Sequence, residues 1–148
     1  MGYRLEIRNI LLSTGPVESK AAFLPSARLL ADLGIHLYAT QGTADFYQPH
    51  GIKTTVLHWP LEAQSPNTTE YLRQGKIDLV INLPKNSQEH ELTNDYSIRR
   101  QAVDLAIPLI TNLQLAQRFV EALGRKRPDD LEIKSWQEYV RPEHAPSA

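Results

Sequence analysis

The chain has 148 residues, which is enough for one domain and too few for two ordinary ones. Lys and Arg number 16 against 17 Asp and Glu, and the resulting net charge of −1 argues against non-specific nucleic-acid binding. The lack of cysteine excludes disulfides, Cys-ligated zinc and cysteine nucleophiles, and it fits a reducing compartment such as the cytoplasm. No apolar run approaches the roughly 20 residues of a membrane span, so we expect no membrane partner.

The first half of the chain alternates short apolar runs with amphipathic segments. Residues 9–13 predict a buried strand, and apolar residues at helical spacing over 23–33 predict a helix that Gly34 ends. Pro25 lies in this segment, so the helix either begins near it or bends there. A second strand at 36–39, a short helix at 43–48 and a third strand at 54–57 are predicted next.

The second half continues the same alternation. Ser65 is the predicted N-cap of a helix that starts at Pro66, runs to Gln74 and ends at Gly75. A strand at 77–82, a helix at 95–105 capped by Asn94, a strand at 109–111 and a helix at 113–123 follow. The segment 131–139 suggests a short strand and a helical turn, and 141–148 reads as a disordered tail.

Five strands that alternate with helices predict an α/β fold. We expect a single three-layer α/β/α domain over 1–148, with its core at about 9–140 and a five-stranded, mainly parallel, doubly wound sheet. In such sheets a ligand lies beyond the carboxyl ends of the strands. A ligand site is therefore expected among the segments that follow the first four strands, which are 13–20, 40–45, 58–62 and 82–86.

The loop ATQGTAD, residues 39–45, is the sharpest local feature because a strand ends there and a helix begins. Gly42 lets the backbone turn closely, and Thr40 and Thr43 add hydroxyl groups beside free backbone amides. This arrangement can bind a phosphate or a carboxylate. A Thr-capped turn without a ligand explains the same pattern, which is neither a Walker A loop nor a dinucleotide-binding fingerprint.

Other polar residues follow the predicted strands. Lys20 could reach the same anion, although a surface lysine is the commoner explanation. Trp59 is either a core residue or a stacking wall, and Asn82 either contacts a ligand or caps a loop. Of Arg99 and Arg100, one is expected to face the site and the other to be solvated or paired with an acid. The five histidines are dispersed without metal-site spacing, so no metal and no cofactor are expected.

These motifs, in this order, resemble one known family. The blocks that carry the likeness are LLST at 11–14, LYATQGTADF at 37–46, HGIKTTVLHWP at 50–60, IDLVINLP at 77–84, DYSIRRQAVDLAIPLITN at 95–112 and FVEAL at 119–123. The stretch from about 9 to 140 resembles a methylglyoxal-synthase-like domain, specifically the carboxy-terminal allosteric domain of the carbamoyl-phosphate synthase large chain. The resemblance implies a regulatory domain of pyrimidine or arginine biosynthesis whose partners are the synthetase domains, absent here.

Within that family the domain binds a small anionic effector, a nucleotide or N-acetylglutamate. The resemblance carries effector-binding positions onto Thr40 and Thr43, with Gly42 between them. It also carries them onto Lys20 and Asn82. No nucleic-acid partner is implied.

The remaining family positions do not select the effector. Trp59 stands where nucleotide-binding bacterial members often carry Lys and the N-acetylglutamate type carries Trp. Lys85 and Asp95 are also candidate effector-binding residues, but they stand where the N-acetylglutamate type has Asn. The HWP and INLP blocks also resemble the multifunctional pyrimidine enzyme of animals, so Trp59 alone does not choose between ligands.

An enzymatic alternative is methylglyoxal synthase, a lyase that eliminates phosphate from dihydroxyacetone phosphate. The reaction needs a carboxylate base beside the phosphate loop, and true synthases place it in a GGD motif after the third strand. The corresponding loop here, HWPLEAQSPN, has only Glu62. Asp45 and Asp95 do not replace that motif. A third option, the cyclohydrolase domain of purine synthesis, needs a long catalytic segment that is not found here.

Overall fold

The computed structural model describes residues 7–60, 64–83 and 89–125. The strands are β1 (Asn9–Thr14), β2 (His36–Ala39), β3 (Thr55–Val56), β4 (Leu79–Leu83) and β5 (Leu109–Ile110). The helices are α1 (Val17–Asp32), α2 (Gln41–Tyr47), α3 (Thr68–Arg73), α4 (Glu89–Asp104) and α5 (Leu113–Arg125), with a 3₁₀ turn at Gln48–His50.

Within the described residues, the strands form one sheet in the order β3-β2-β1-β4-β5, and every neighbouring pair is parallel. Parallel neighbours require crossover connections, which the intervening helices supply. The predicted α/β class and the five-stranded parallel sheet are therefore confirmed. The strand order reverses direction at β1, which lies at the centre beside both β2 and β4.

Two apolar clusters cover the two faces of the sheet. Side chains alternate along a strand, so Leu12 packs with α1, α2 and α5 on one face while Leu11 packs with residues of α3 and α4 on the other. Leu11, Leu12, Val80 and Ile81 are all fully buried. Burial on both faces explains why β1 and β4 are apolar runs without alternating polar residues.

Three helices begin earlier than the sequence predicts: α2 by only two residues, at Gln41, and α1 and α4 by more than a turn. Helix α1 starts at Val17, and Pro25 lies inside it on an exposed position. Helix α4 starts at Glu89, so the prediction of Asn94 as its N-cap is wrong. The early turns of these helices lack regular apolar spacing, which is why periodicity located only their later turns. The predicted elements over 131–139 and the tail at 141–148 lie outside the described residues.

The start of α3 also differs from the prediction. Asn67, not Ser65, is its N-cap: Asn67 Oδ1 accepts a hydrogen bond of 2.8 Å from the Thr69 amide. Glu70 completes a capping box, because its Oε1 accepts from the Asn67 amide at 2.9 Å. Ser65 only donates its hydroxyl to the same Glu70 oxygen. Pro66 precedes the helix rather than opening it.

We expect Asn67→Ala to lower the free energy of unfolding by about 1–2 kcal/mol, because it removes the cap and a hydrogen bond to the Trp59 carbonyl. Ser65→Ala is the matched control and should cost less than about 0.5 kcal/mol, because Ser65 is exposed. Urea denaturation of both variants measures the difference. Equal losses would contradict the assignment of the cap.

No helix among the described residues combines the length and the apolar character that crossing a membrane requires.

Candidate functional site

The carboxyl ends of three adjacent strands bring polar residues together at one edge of the sheet. Leu12 pairs in register with Ala39, directly before Thr40, and Ser13 pairs with Asn82. Neighbouring strands lie about 4.8 Å apart, so residues in register at this edge are close neighbours. The topological switch at β1 falls between these strands, where doubly wound sheets open a crevice.

Three buried threonines, Thr14, Thr40 and Thr43, form what we call the threonine cluster. Thr43 Oγ1 accepts from the Thr14 amide at 3.0 Å and from Thr40 Oγ1 at 3.3 Å, and it donates to the Thr14 carbonyl at 3.4 Å. Thr14 Oγ1 lies 3.3 Å from the same oxygen. None of the three residues is more than 4% exposed. The cluster joins the end of β1 to the start of α2.

The threonine cluster shows how the ATQGTAD loop is held in place. Thr40 occupies the N-cap position of α2, but its side chain makes no capping hydrogen bond. The Thr40 hydroxyl points instead to Thr43. A simple Thr-capped turn is therefore not what holds this loop.

Gly42 has a different role from the predicted one. It lies in the first turn of α2 and does not have a left-handed backbone. Among the described residues, the glycines with positive φ are Gly34, Gly51 and Gly75. A Cβ placed on Gly42 would stand 3.7 Å from Lys20 Nζ. That distance is an ordinary van der Waals contact, and it places the Lys20 ammonium group beside the start of α2.

Tyr47 holds the backbone of Lys20 in place. Its buried hydroxyl donates a 2.9 Å hydrogen bond to the Lys20 carbonyl. Burial raises the pKa of Tyr47, so the phenol remains a protonated donor at neutral pH. The structure therefore brings the predicted Lys20 and Gly42 together beside Thr40 and Thr43, and it adds Thr14, which was not predicted.

Trp59 follows β3 and is half-buried. Its side chain packs against the cluster of α3 and α4 residues, and its carbonyl accepts a 2.8 Å hydrogen bond from Asn67 Nδ2. Of the two interpretations, core packing is observed, and part of the side chain remains exposed at the end of the strand.

Asn82 is completely buried at the end of β4, on the face that α4 covers. Its Nδ2 donates to Asp95 Oδ1 at 3.1 Å, and its Oδ1 accepts from Arg99 Nη1 at 3.0 Å. Asp95 is only 4% exposed and Arg99 is half-buried. The polar side chains of α4 thus supply partners to both ends of the amide.

The two neighbouring arginines differ as the sequence indicates. Arg99 reaches Asn82, whereas Arg100 is exposed, donates to Tyr96 Oη at 3.0 Å and pairs with Asp104 at 3.5 Å. The hydrogen bond that Arg100 donates to Tyr96 and the charge of Asp104 raise the pKa of Arg100. Arg99 and Thr14 were not among the predicted binding residues. The available signals were the polar Ser13-Thr14 pair that ends β1, and the spacing of four residues from Asp95 to Arg99.

Three further residues named in the sequence analysis are Lys85, Glu62 and Asp45. Lys85 and Glu62 lie outside the described residues. Asp45 is exposed and accepts a 2.7 Å hydrogen bond from Gln41 Nε2. Among the described residues, no three acidic or histidine side chains are grouped as a metal ion requires.

A cavity of about 770 Å³ lies at the opposite edge of the sheet, at the amino ends of β2 and β3. Its polar lining is occupied internally: His36 Nε2 is 2.8 Å from Thr55 Oγ1, and Gln48 Nε2 donates to the Thr54 carbonyl at 3.2 Å. None of the predicted binding residues lines it.

Comparison with known proteins identifies the family. A family model described as "MGS-like domain" matches residues 22–111. The "Multifunctional protein pyr1-3" of Dictyostelium discoideum is 39% identical over 141 residues, covering 91% of this chain and 6% of that protein. The human "Carbamoyl-phosphate synthase [ammonia], mitochondrial" is 37% identical over 134 residues, covering 87% of this chain and 9% of that protein.

One solved structure, described as "Crystal structure of ForH", aligns with a TM-score of 0.59 at 14% identity, covering 93% of this chain and 90% of that one. At that identity the likeness concerns the fold alone. The chain spans less than a tenth of the length of the two relatives named above. The matched family model, over more than half of the sequence, and the parallel sheet agree: the chain belongs to the MGS-like domain family.

Proposed function

We propose that this domain is the regulatory, effector-binding part of a carbamoyl-phosphate synthase, and that it acts on synthetase domains in pyrimidine or arginine biosynthesis. Family membership and the relatives' names support the proposal. The domain has no expected catalytic residue, and its work is to bind a small anion and transmit the binding to its partner domains.

The observation that carries the proposal is the position of Lys20 beside the threonine cluster. Its ammonium group lies against Gly42 at the start of α2, at the carboxyl edge of the sheet. The ammonium group of Lys20 can donate to a phosphate or a carboxylate, while the buried hydroxyls of the threonine cluster hold the loop beside it in place. This local positive charge stands out from the nearly neutral chain.

Regulation by such a site follows from differential affinity. An effector shifts an enzyme between two states only to the extent that it binds one state more tightly. The threonine cluster connects β1 to α2, and Asn82 connects β4 to α4. A ligand bound beside these strand ends would change how the helices pack on the sheet, which is the kind of change that a partner domain can sense.

A thermal-shift screen of the isolated chain tests the proposal. The screen should include UMP, UTP, IMP, phosphoribosyl pyrophosphate, ornithine and N-acetylglutamate, with inorganic phosphate as a reference anion. A ligand at 100 times its dissociation constant stabilises the fold by about 2.7 kcal/mol. We expect at least one organic anion to raise the melting temperature more than inorganic phosphate does. No stabilisation by any of them would argue against an effector site.

Trp59 is expected to form one wall of the site. Trp59→Ala should weaken binding of the best ligand about tenfold, because a stacking or packing surface is lost. Tyr71→Ala is the matched control: Tyr71 packs against the same apolar cluster but belongs to α3. Calorimetric titration should show weaker binding for Trp59→Ala alone, while denaturation shows a loss of stability for both. Equal affinities in the two variants would assign Trp59 to the core only.

Methylglyoxal synthase activity is not expected, because the GGD carboxylate is missing. The two described acids considered as substitutes each accept a hydrogen bond from a side-chain amide, Asp45 from Gln41 and Asp95 from Asn82. Incubation with dihydroxyacetone phosphate should give no methylglyoxal above the rate without protein. Turnover that survives repurification would replace the regulatory assignment with a catalytic one.

A further inference from the structure

The buried amide of Asn82 lies between two ionic side chains of α4. Its Nδ2 faces the Asp95 carboxylate and its Oδ1 faces the Arg99 guanidinium, at 3.1 and 3.0 Å. Asp95 and Arg99 are four residues apart and therefore lie on the same face of the helix. Alternation along β4 places Asn82 on the same side as Val80, towards α4.

The chemistry of these two partners allows only one orientation of the amide. A guanidinium has donors and no acceptor, so it requires the amide oxygen. A carboxylate accepts, so it requires the amide nitrogen. Turning the amide by 180° would place donor against donor and acceptor against acceptor, with no water to relieve either contact, since Asn82 is fully buried.

We propose that Asp95 and Arg99 are positioning residues that lock the Asn82 amide in this single orientation, and that Asp95 does not itself bind the effector. The inference rests on the proposed function for its binding consequence, but not for the lock itself. It assigns Asp95 a different role from the one that the family resemblance implies.

The lock has a consequence for the class of ligand. Asp95 and Arg99 carry opposite charges, so their network adds no net charge beside Asn82. Lys20 lies at the other part of the edge, against α2. Because the Asn82 side chain is itself fully buried, the network shapes the end of β4 without presenting a charge there, and the fitting ligand has an anionic group for Lys20 and no charged group at the Asn82 end. An anion with a second charge at that end would fit poorly.

The lock can be tested without any ligand. In protein labelled with ¹⁵N-asparagine, the Asn82 side-chain NH₂ signals report its hydrogen bonds. We expect Arg99→Gln and Asp95→Asn to shift these signals and to speed their exchange with water about tenfold, the loss of one charge-assisted hydrogen bond. Arg100→Gln is the matched control, because Arg100 is the neighbouring arginine on the same helix but is exposed and does not contact Asn82. Unchanged signals in both test variants would overturn the lock.

Binding of UMP and of N-acetylglutamate, measured by calorimetry, tests the consequence. Arg99→Gln should weaken the better of the two about tenfold, Arg99→Lys should restore part of the loss, and Arg100→Gln should leave it unchanged. Circular dichroism melts establish that each variant is folded. Normal affinity in Arg99→Gln together with weak binding in Asp95→Asn would make Asp95 a direct contact and overturn its positioning role. If the signals shift as expected but neither compound binds the unmodified chain, the lock stands and the effector proposal is the part that fails.

Discussion

Replacing Thr43 by alanine is expected to damage both the fold and the proposed binding site. The Thr43 hydroxyl accepts hydrogen bonds from the Thr14 amide and the Thr40 hydroxyl, and it donates one to the Thr14 carbonyl. The residue is 1% exposed. Its loss leaves buried backbone groups without this partner, at a cost of about 1–3 kcal/mol in the free energy of unfolding. Affinity for the best anion from the thermal-shift screen should fall roughly tenfold to a hundredfold.

Two conservative variants separate these effects. Thr43→Ser keeps the hydroxyl and should retain most of the stability and the affinity. Thr43→Val keeps the volume and should behave like alanine, because the hydroxyl is what the neighbours use. Chemical denaturation and calorimetry on all three variants measure the outcome. If valine retained the affinity, the hydroxyl would have no part in the site; if serine lost it, the methyl group would be the important part.

The architecture was accessible from the sequence because its signals are strong. The apolar runs of β1 and β4 are buried on both faces, and Gly34 and Gly75, which follow the first and third helices, separate the elements clearly. Bounds were accurate where a strand is short and enclosed, as for β2, which lies at the predicted residues. They were less accurate where a helix begins in polar sequence, as at Val17 and Glu89. Periodicity finds the face of a helix that packs, and the first turns of these helices offer little of that face.

Capping was predicted less well, for a chemical reason. Ser65-Pro66 and Asn67 both offer good starts for α3, and a serine before proline is a common signal. What decides between them is Glu70, which reaches back to the Asn67 amide and not to an amide two residues earlier. The spacing of three residues from Asn67 to Glu70 is the capping-box pattern, so this signal was present in the sequence but was given less weight than Pro66.

The candidate site was predicted as a set of residues at the ends of strands. The structure shows which of them contact each other or a helix, and the sequence does not specify these contacts. Thr43 and Lys20 were placed near one another by topology alone, since loops after parallel strands share one edge. Asn82 was identified as needing partners, but their identity depends on how α4 packs over the end of β4, which places Asp95 and Arg99 against the amide. That tertiary packing is not specified by the local sequence.

Replacing Lys20 by methionine is expected to reduce anion binding by a roughly tenfold to hundredfold factor, with little change in stability. Methionine retains the length and much of the apolar stem, while the ammonium group beside Gly42 is lost. A charge-assisted hydrogen bond to an anion contributes about 1.5–3 kcal/mol, which corresponds to that factor. Lys20 is half-exposed, so the free energy of unfolding should change by less than about 1 kcal/mol.

Lys53→Met provides the matched control, because Lys53 is exposed and lines the cavity at the opposite edge of the sheet. Both variants lower the net charge of the chain by one, so any general electrostatic attraction of an anion falls equally. Calorimetric titrations at low and moderate salt should therefore show a large loss for Lys20→Met alone. Salt should weaken binding to the unmodified chain more than binding to Lys20→Met, since the variant lacks the ammonium contact that salt screens. Equal affinities of the two methionine variants would place the anion away from Lys20 and, with it, away from the threonine cluster.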